Sequence, residues 1–206
     1  MIASLPMYDR AETAGPLDRL WARVRTDLPF DAPETLKRDD NVWAHWRSPE
    51  LVLSQTCGMP YRARLKGEVT LVGTPVSGLD CAPGHYFSVI VARRDDPRDA
   101  LGAFGGARLA YNEALSQSGW AAPMKLASDC GVAFGGFLRT GAHRSSADAV
   151  AGGQADLAAL DAVTWAMIER WDGVATRLKV VARTPATPAL PFITAKGRDP
   201  APIFAA

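Results

Sequence analysis

The sequence predicts an α/β fold carried on mostly parallel sheet, and three observations predict it. Short strand-like runs alternate with helical periodicity through nearly all of the 206 residues. Polar clusters carrying hydroxyls or glycine recur where those runs end, after the strands near residues 53, 73, 111, 138 and 160. Hydrophobic residues at 48% and charged residues at 22% are ordinary proportions for a globular chain with a buried core. Alternating strands and helices put parallel strands side by side, and ligands then lie beyond the strands' carboxyl ends, where loops feed helix N-termini.

Each element has its own signal. Ile2–Leu5 reads as the first strand. Leu17, Leu20, Trp21, Val24 and Leu28 recur at i, i+3, i+4 spacing and predict a helix over residues 14–28. Residues 51–53 read as a strand running into SQTCGMPY, with a helical turn starting near Met59 or Pro60, since proline suits a first turn. Residues 69–72 form another strand that ends in Gly73-Thr74-Pro75, and residues 86–92 are the longest run rich in Val and Ile. The charged stretch RRDDPRD (93–99) reads as an exposed connection. Residues 108–111 are a strand leading into YNEALSQSGWAAP and a helix over 120–126. Phe137–Leu138 is a strand end, 141–145 a loop, and 146–151 a short helix closed by Gly152-Gly153. Residues 155–160 form a small-residue strand, Asp161 caps a helix over 162–170, and 179–181 close the set.

Composition excludes several classes of function. Twenty-three basic and 22 acidic residues are interspersed, giving a formal net charge of +1 and no basic stripe for nucleic acid. No apolar run approaches the roughly 20 residues a membrane-spanning helix needs, so direct membrane insertion is not expected. Cys57, Cys81 and Cys130 match no zinc spacing, and no metal or cofactor is expected. Cys57 and Cys81 could pair in an oxidising compartment, with buried thiols as the alternative. MIASLPMYDR shows no basic n-region or long apolar h-region. Location therefore stays open: periplasmic if a leader has been removed, cytoplasmic if the sequence is complete as given.

Five stretches carry polar chemistry: Ser54-Gln55-Thr56-Cys57-Gly58, Gly73-Thr74-Pro75, Tyr86-Phe87-Ser88, Ser116-Gln117-Ser118-Gly119, and Thr140 to Ser146. Any one is satisfied by helix capping, because side-chain oxygens pair the first N–H groups of a helix. Together they exceed what capping requires, and the same N–H groups with hydroxyls beside them suit a tetrahedral oxyanion. His143 could donate to such an anion or cap a local turn. Cys57, His143 and Asp161 could form a nucleophile, base and orienter, yet S-Q-S-G lacks the first glycine of G-x-S-x-G, and neither G-x-x-x-x-G-K-[ST] nor H-E-x-x-H occurs. An enzyme is therefore the weaker reading.

The ordered set S-x-S-G-x3-P (Ser116, Ser118, Gly119, Pro123), T-G-x-H-x-x-S (Thr140 to Ser146) and A-V-A-x-G-x-A-D-x-A-A-x-D (Ala149 to Asp161) resembles the phosphate/phosphite/phosphonate substrate-binding proteins of ABC transporters. The resemblance covers most of the chain and is strongest over 111–165. It implies the type II periplasmic binding fold, with two α/β lobes joined by two crossover strands and the ligand clamped between them. The crossovers would be residues 86–92 and 179–181; lobe one would be 1–88 plus 184–206, and lobe two 89–183. It also implies that Ser116, Ser118 and the N–H groups of Ser118 and Gly119 hold phosphoryl oxygens, with His143 facing the same group. Tyr8 and Thr56 would reach it from lobe one, and Ser54, Gln55, Tyr86, Asn112, Gln117 and Ser146 complete the candidate set. Asp161 could take a substrate ammonium or serve as an N-cap, and Glu113 is a weaker candidate for that ammonium.

The expected partners are a small phosphate- or phosphonate-like anion and an ABC permease. Two departures bear on this. SQTCGMPY is not the family's usual wording, and only six residues follow Pro200, so lobe one is expected to lack part of its usual C-terminal helical cover. Alternative readings are a thiamine-precursor-like heterocycle stacked on Trp43, Trp46, Trp120 or Trp165, which otherwise pack the core, and an intracellular ligand-sensing module.

Overall fold

The computed structural model describes residues 1–39 and 41–206. Its strands, in chain order, are β1 (Ile2–Ser4), β2 (Leu51–Gln55), β3 (Val69–Gly73), β4 (His85–Tyr86), β5 (Ser88–Arg93), β6 (Arg108–Tyr111), β7 (Gly136–Arg139), β8 (Leu157–Asp161), β9 (Leu178–Arg183), β10 (Thr187–Pro188) and β11 (Phe192–Ala195). The α-helices are α1 (Ala11–Asp27), α2 (Val42–Trp46), α3 (Gly58–Pro60), α4 (Ala122–Asp129), α5 (His143–Ala151), α6 (Ala162–Trp171) and α7 (Ala201–Ala205). Among the described residues, no helix is long and apolar enough to cross a membrane.

The chain folds as two compact units, 1–75 with 188–206, and 76–187. The boundaries differ from the expected 88/89 and 183/184, and packing is the reason. Leu79, Cys81 and Phe87 lie against the second unit's apolar cluster. Ser88 N–H donates to Thr184 Oγ1 and Thr184 N–H returns to the Ser88 carbonyl, both at 2.9 Å.

In the first unit the sheet order is β1-β2-β11-β3, with β1 parallel to β2 and β11 antiparallel to both its neighbours. Trp21 and Val24 of α1 bury against Ala3, Leu5, Val52 and Leu53 on one face. Trp21 Nε1 donates to the Pro33 carbonyl at 2.9 Å, so the indole fills the core and keeps its polar atom paired. The other face holds Trp46, Leu51, Leu65, Val69 and Ile193. Strand β11 and helix α2 were not foreseen: FITA is too short to show a period, and VWAHW spans barely more than one turn.

The second unit is a five-stranded sheet of order β7-β6-β8-β5-β9. Strands β7, β6 and β8 are mutually parallel, whereas β5 runs antiparallel to both β8 and β9. The sheets are therefore mixed, not mostly parallel. Strands β5 and β9, expected as the crossovers, pair with each other inside this sheet. Side chains alternate between its faces. Val89 and Val91 of β5 and Ala158 and Leu160 of β8 join one cluster, with α5 and α6, while Ile90, Ala92, Leu157 and Ala159 join the other, beneath Leu101 and Phe104. Coverage on both faces explains why these strands read as continuous apolar runs.

Other boundaries shift by recognisable causes. The run read as one strand over 86–92 is split at Phe87 into β4 and β5. The stretch 93–99 is not simply exposed, since Asp96 is buried. Its carboxylate accepts from Arg98 Nε at 2.9 Å, Arg98 Nη2 at 2.7 Å and the Arg98 N–H at 2.9 Å. Arg98 also reaches Asp156 Oδ1 at 3.2 Å, and Asp156 Oδ2 accepts from the Arg108 N–H at 2.8 Å, tying this loop to the starts of β8 and β6. Arg98 first, and Arg93 more weakly, hold the Asp96 carboxyl well below the usual carboxylate range.

Asp96→Asn is expected to lower unfolding stability by about 2 kcal/mol near neutral pH, from the lost charge-assisted bonds. Because the folded pKa is depressed, this contribution is present above the ordinary carboxylate value of 3.8 and fades as pH falls below it. Urea titrations of both proteins at pH 7 and about pH 3 check this: the gap between them should narrow in acid.

Candidate functional site

The sequence-predicted residues fall in both units, and each unit is best taken alone. In the first, Ser54, Gln55 and Thr56 are all buried at the end of β2. Ser54 Oγ lies 2.9 Å from Ser4 Oγ and accepts from Trp46 Nε1 at 3.2 Å, so this hydroxyl braces the core. Gln55 Nε2 donates to the Leu190 carbonyl at 3.2 Å, and Thr56 N–H donates to the Pro191 carbonyl at 3.0 Å. Tyr8 precedes α1, where its carbonyl accepts from Thr13 Oγ1 at 2.6 Å. These four line a β2–β11 junction and a helix entry, and Ser54 in particular has a structural role.

The second unit brings the motif residues together. Its parallel strands β6, β7 and β8 all end on one edge, and the loops that leave them feed α4, α5 and α6 there. Past β6, the main chain stays bonded to the loop that leaves β7: Thr140 N–H donates to the Tyr111 carbonyl at 2.9 Å and Gly141 N–H to the Asn112 carbonyl at 3.0 Å. The helix after β6 opens with a wide π-type turn over Gln117–Ala121 and continues as α4. Ser116 Oγ accepts from the Gly119 N–H at 2.9 Å, so Ser116 is a true N-cap and the Gly119 N–H is already paired. Ser118 differs. Its hydroxyl lies 2.9 Å from His143 Nε2 and 3.5 Å from Ser116 Oγ, and its own N–H is one of the first-turn donors that have no carbonyl a turn back.

His143 is the first residue of α5, not part of the loop expected over 141–145. That placement brings its ring over the opening turn of the neighbouring helix. Its Nδ1 is buried. Burial pushes the imidazole down to about 4, opposed in smaller part by the Ala159 main chain, so the ring is neutral at ordinary pH. Asn112 completes the cluster. A Cβ placed on Gly119 would come within 2.0 Å of Asn112 Oδ1 and 3.3 Å of His143 Cε1, so the missing side chain is what lets the carboxamide lie against this turn. Asn112 Oδ1 is itself buried without a partner.

Five further candidates belong to this unit. Ser146 Oγ is fully buried and sits 2.6 Å from Thr140 Oγ1, bracing α5 against the preceding loop. Asp161 Oδ1 accepts from the Val163 and Thr164 N–H groups at 2.8 and 3.1 Å, which makes it the N-cap of α6. Tyr86 and Gln117 are buried, Tyr86 in β4 and Gln117 in the opening turn of α4. Glu113 pairs with Arg139. Of the enzyme-like trio, the two members in the second unit have other contacts: His143 Nε2 faces the Ser118 hydroxyl and Asp161 Oδ1 caps α6. Among the described residues no disulfide joins Cys57 and Cys81, so that pairing is not made. Among the described residues no group of His, Cys, Asp and Glu is arranged to hold a metal ion. Trp46 and Trp165 are core residues, while Trp43 packs edge-on to Trp46 at 5.0 Å. Trp120 stacks with Tyr111 at 4.6 Å and Phe137 at 5.0 Å, closing the outer side of the opening turn.

A family profile described as "ABC transporter, phosphonate, periplasmic substrate-binding protein" matches residues 53–203. No curated protein matches. Among solved structures, PhnD1 from Prochlorococcus marinus in complex with methylphosphonate aligns with a TM-score of 0.74 at 15% identity, over 98% of this chain and 79% of that one. XAC2383 from Xanthomonas citri bound to chloride aligns at 0.70 and 20% identity, over 98% and 80%. A binding protein component of an ABC phosphonate transporter from Pseudomonas aeruginosa aligns at 0.68 and 16% identity, over 95% and 68%. The fold is that of the type II periplasmic binding proteins.

The Gly119–Asn112 contact gives a test of local architecture. Gly119→Ala forces the Asn112 side chain out and is expected to lower stability by about 1–3 kcal/mol. Thermal denaturation of Gly119→Ala with Asn112→Ala should recover most of that loss. If the double variant is no better than the single one, the contact is not what excludes a side chain at 119.

Proposed function

The chain belongs to the periplasmic phosphonate substrate-binding family of ABC transporters, and from that premise we propose that its second unit binds a phosphonate- or phosphate-like oxyanion at Ser118, His143 and the opening turn of α4. One observation carries the assignment: a serine hydroxyl in the first turn that Ser116 caps is hydrogen-bonded to a buried, neutral histidine at the start of the adjacent helix. Two helix N-termini side by side supply partial positive charge, and hydroxyl and imidazole supply directed donors. Such a cradle recognises an anion without an arginine or lysine clamp. Ser116 holds the turn in shape by capping it, and Asn112 fixes its packing. The methylphosphonate of the Prochlorococcus relative is the natural probe.

The role is binding and delivery to a permease, with no covalent step. In this reading the Ser118 hydroxyl and the His143 ring act as hydrogen-bond donors to the ligand, and a ligand recovered by mass spectrometry after prolonged incubation should be unchanged.

Ser118→Ala and His143→Ala are each expected to weaken methylphosphonate binding about tenfold or more, through loss of charge-assisted hydrogen bonds. Isothermal calorimetry checks this. Unchanged affinity in both variants would refute the site, whereas Ser54→Ala should cost stability and leave affinity close to that of the parent.

A further inference from the structure

We propose that the second unit takes up its oxyanion together with one proton, which comes to rest on His143. The inference rests on the oxyanion reading above and adds a statement about the ionic form of the complex.

The argument begins with a count of hydrogens. Ser118 has one hydroxyl hydrogen, and His143 Nε2 lies 2.9 Å from its oxygen. An oxyanion docking on Ser118 brings only acceptors, so it claims that hydrogen. Nε2 must then act as donor toward Ser118 Oγ or the ligand. A neutral ring has one donor and one acceptor nitrogen, so Nε2 could turn donor without a new proton only by taking the hydrogen from Nδ1, and the Ala159 main chain favours keeping the ring protonated, while Asn112 Oδ1 is a buried acceptor in the same cluster. One proton brought in with the ligand supplies the missing donor.

Charge balance points the same way. Residues 111–121 contain no lysine or arginine, and residues 140–146 contain only Arg144, which pairs with Asp148 and Asp172. Arg139, just before, pairs with Glu113. The elements packed on α5 are β5, β6, β8, β9, α6 and the turn Gly173–Arg177. From β8 comes Asp161, which caps α6; from β5, Arg93, beside Asp95 and Asp96; from β6, Arg108 and Tyr111. From β9 come Lys179, paired with Asp99, and Arg183, over the Phe87 ring; from the turn, Arg177, on the Ala151 carbonyl. From α6 come Glu169 and Arg170, the latter over Trp171. None of these charges sets the proton affinity of the ring, which burial lowers and the Ala159 main chain partly restores. His143 is thus the group next to the anion that can still become a cation. A dianion within hydrogen-bond reach in a water-poor site favours that form strongly.

Calorimetry of methylphosphonate binding at about pH 9, in two buffers of different ionisation enthalpy, reads the proton directly. The apparent enthalpies should differ by the full difference between the two buffers' ionisation enthalpies, as uptake of one proton requires, and affinity should fall about tenfold per pH unit above the ligand's second ionisation. Nitrogen-15 spectra should show both His143 ring nitrogens protonated in the saturated complex. In His143→Gln the pH slope should vanish. Equal enthalpies in both buffers, a neutral His143 in the complex, or a slope retained in His143→Gln would overturn the proposal. Absence of any binding heat would overturn the oxyanion reading, and this inference with it.

Discussion

Three parallel strands impose the geometry on which the second unit depends. Because β6, β7 and β8 point the same way, the loops after them emerge on one edge, and the helices that follow start there side by side. Had any one been reversed, its helix would begin at the far edge. The antiparallel partners β5 and β9 leave that edge undisturbed while completing the apolar cover of the sheet. Within this frame the short bonds between loops, Thr140 to Tyr111 and Gly141 to Asn112, set the distance from one helix start to the next.

That distance explains the division of labour among hydroxyl groups that look alike in sequence. Ser116 and Ser118 are two residues apart, yet one caps the turn and the other faces His143. The wide opening turn is the cause. Within it the cap reaches Gly119 while the Ser118 hydroxyl faces His143. Gly119 and Asn112 supply the tolerance, since any side chain at 119 would occupy the space the carboxamide fills. A neutral histidine follows from the same crowding: the ring is enclosed by apolar strand and helix, and no carboxylate neighbours it to hold a proton.

Much of this was legible in the sequence, and the misses have physical causes. The continuous apolar runs read over residues 86–92 and 155–160 and the spacing of Trp21 and Val24 betrayed the core strands and α1, because burial dictates residue type there. The cap at Asp161 was legible because short acidic side chains suit that position. Strand direction was not, since the same apolar run serves a parallel or an antiparallel neighbour; hence β5, β9 and β11 turned a mostly parallel expectation into mixed sheets. The start of α5 was placed three residues late because His143, Arg144 and Ser145 carry no apolar signal. The sequence also could not separate hydroxyls that brace the fold from the one that faces His143: Ser54 and Ser146 sit in polar stretches like that of Ser118, but their partners, Ser4, Trp46 and Thr140, are distant in sequence or hidden in a loop.

The most direct test of the central claim is a crystal structure of the protein grown with methylphosphonate. The account predicts phosphonyl oxygens within hydrogen-bond distance of Ser118 Oγ, the Ser118 N–H and His143 Nε2, with the Ser116–Gly119 cap intact. A phosphonate bound elsewhere, with Ser118 and His143 still bonded only to each other, would contradict it.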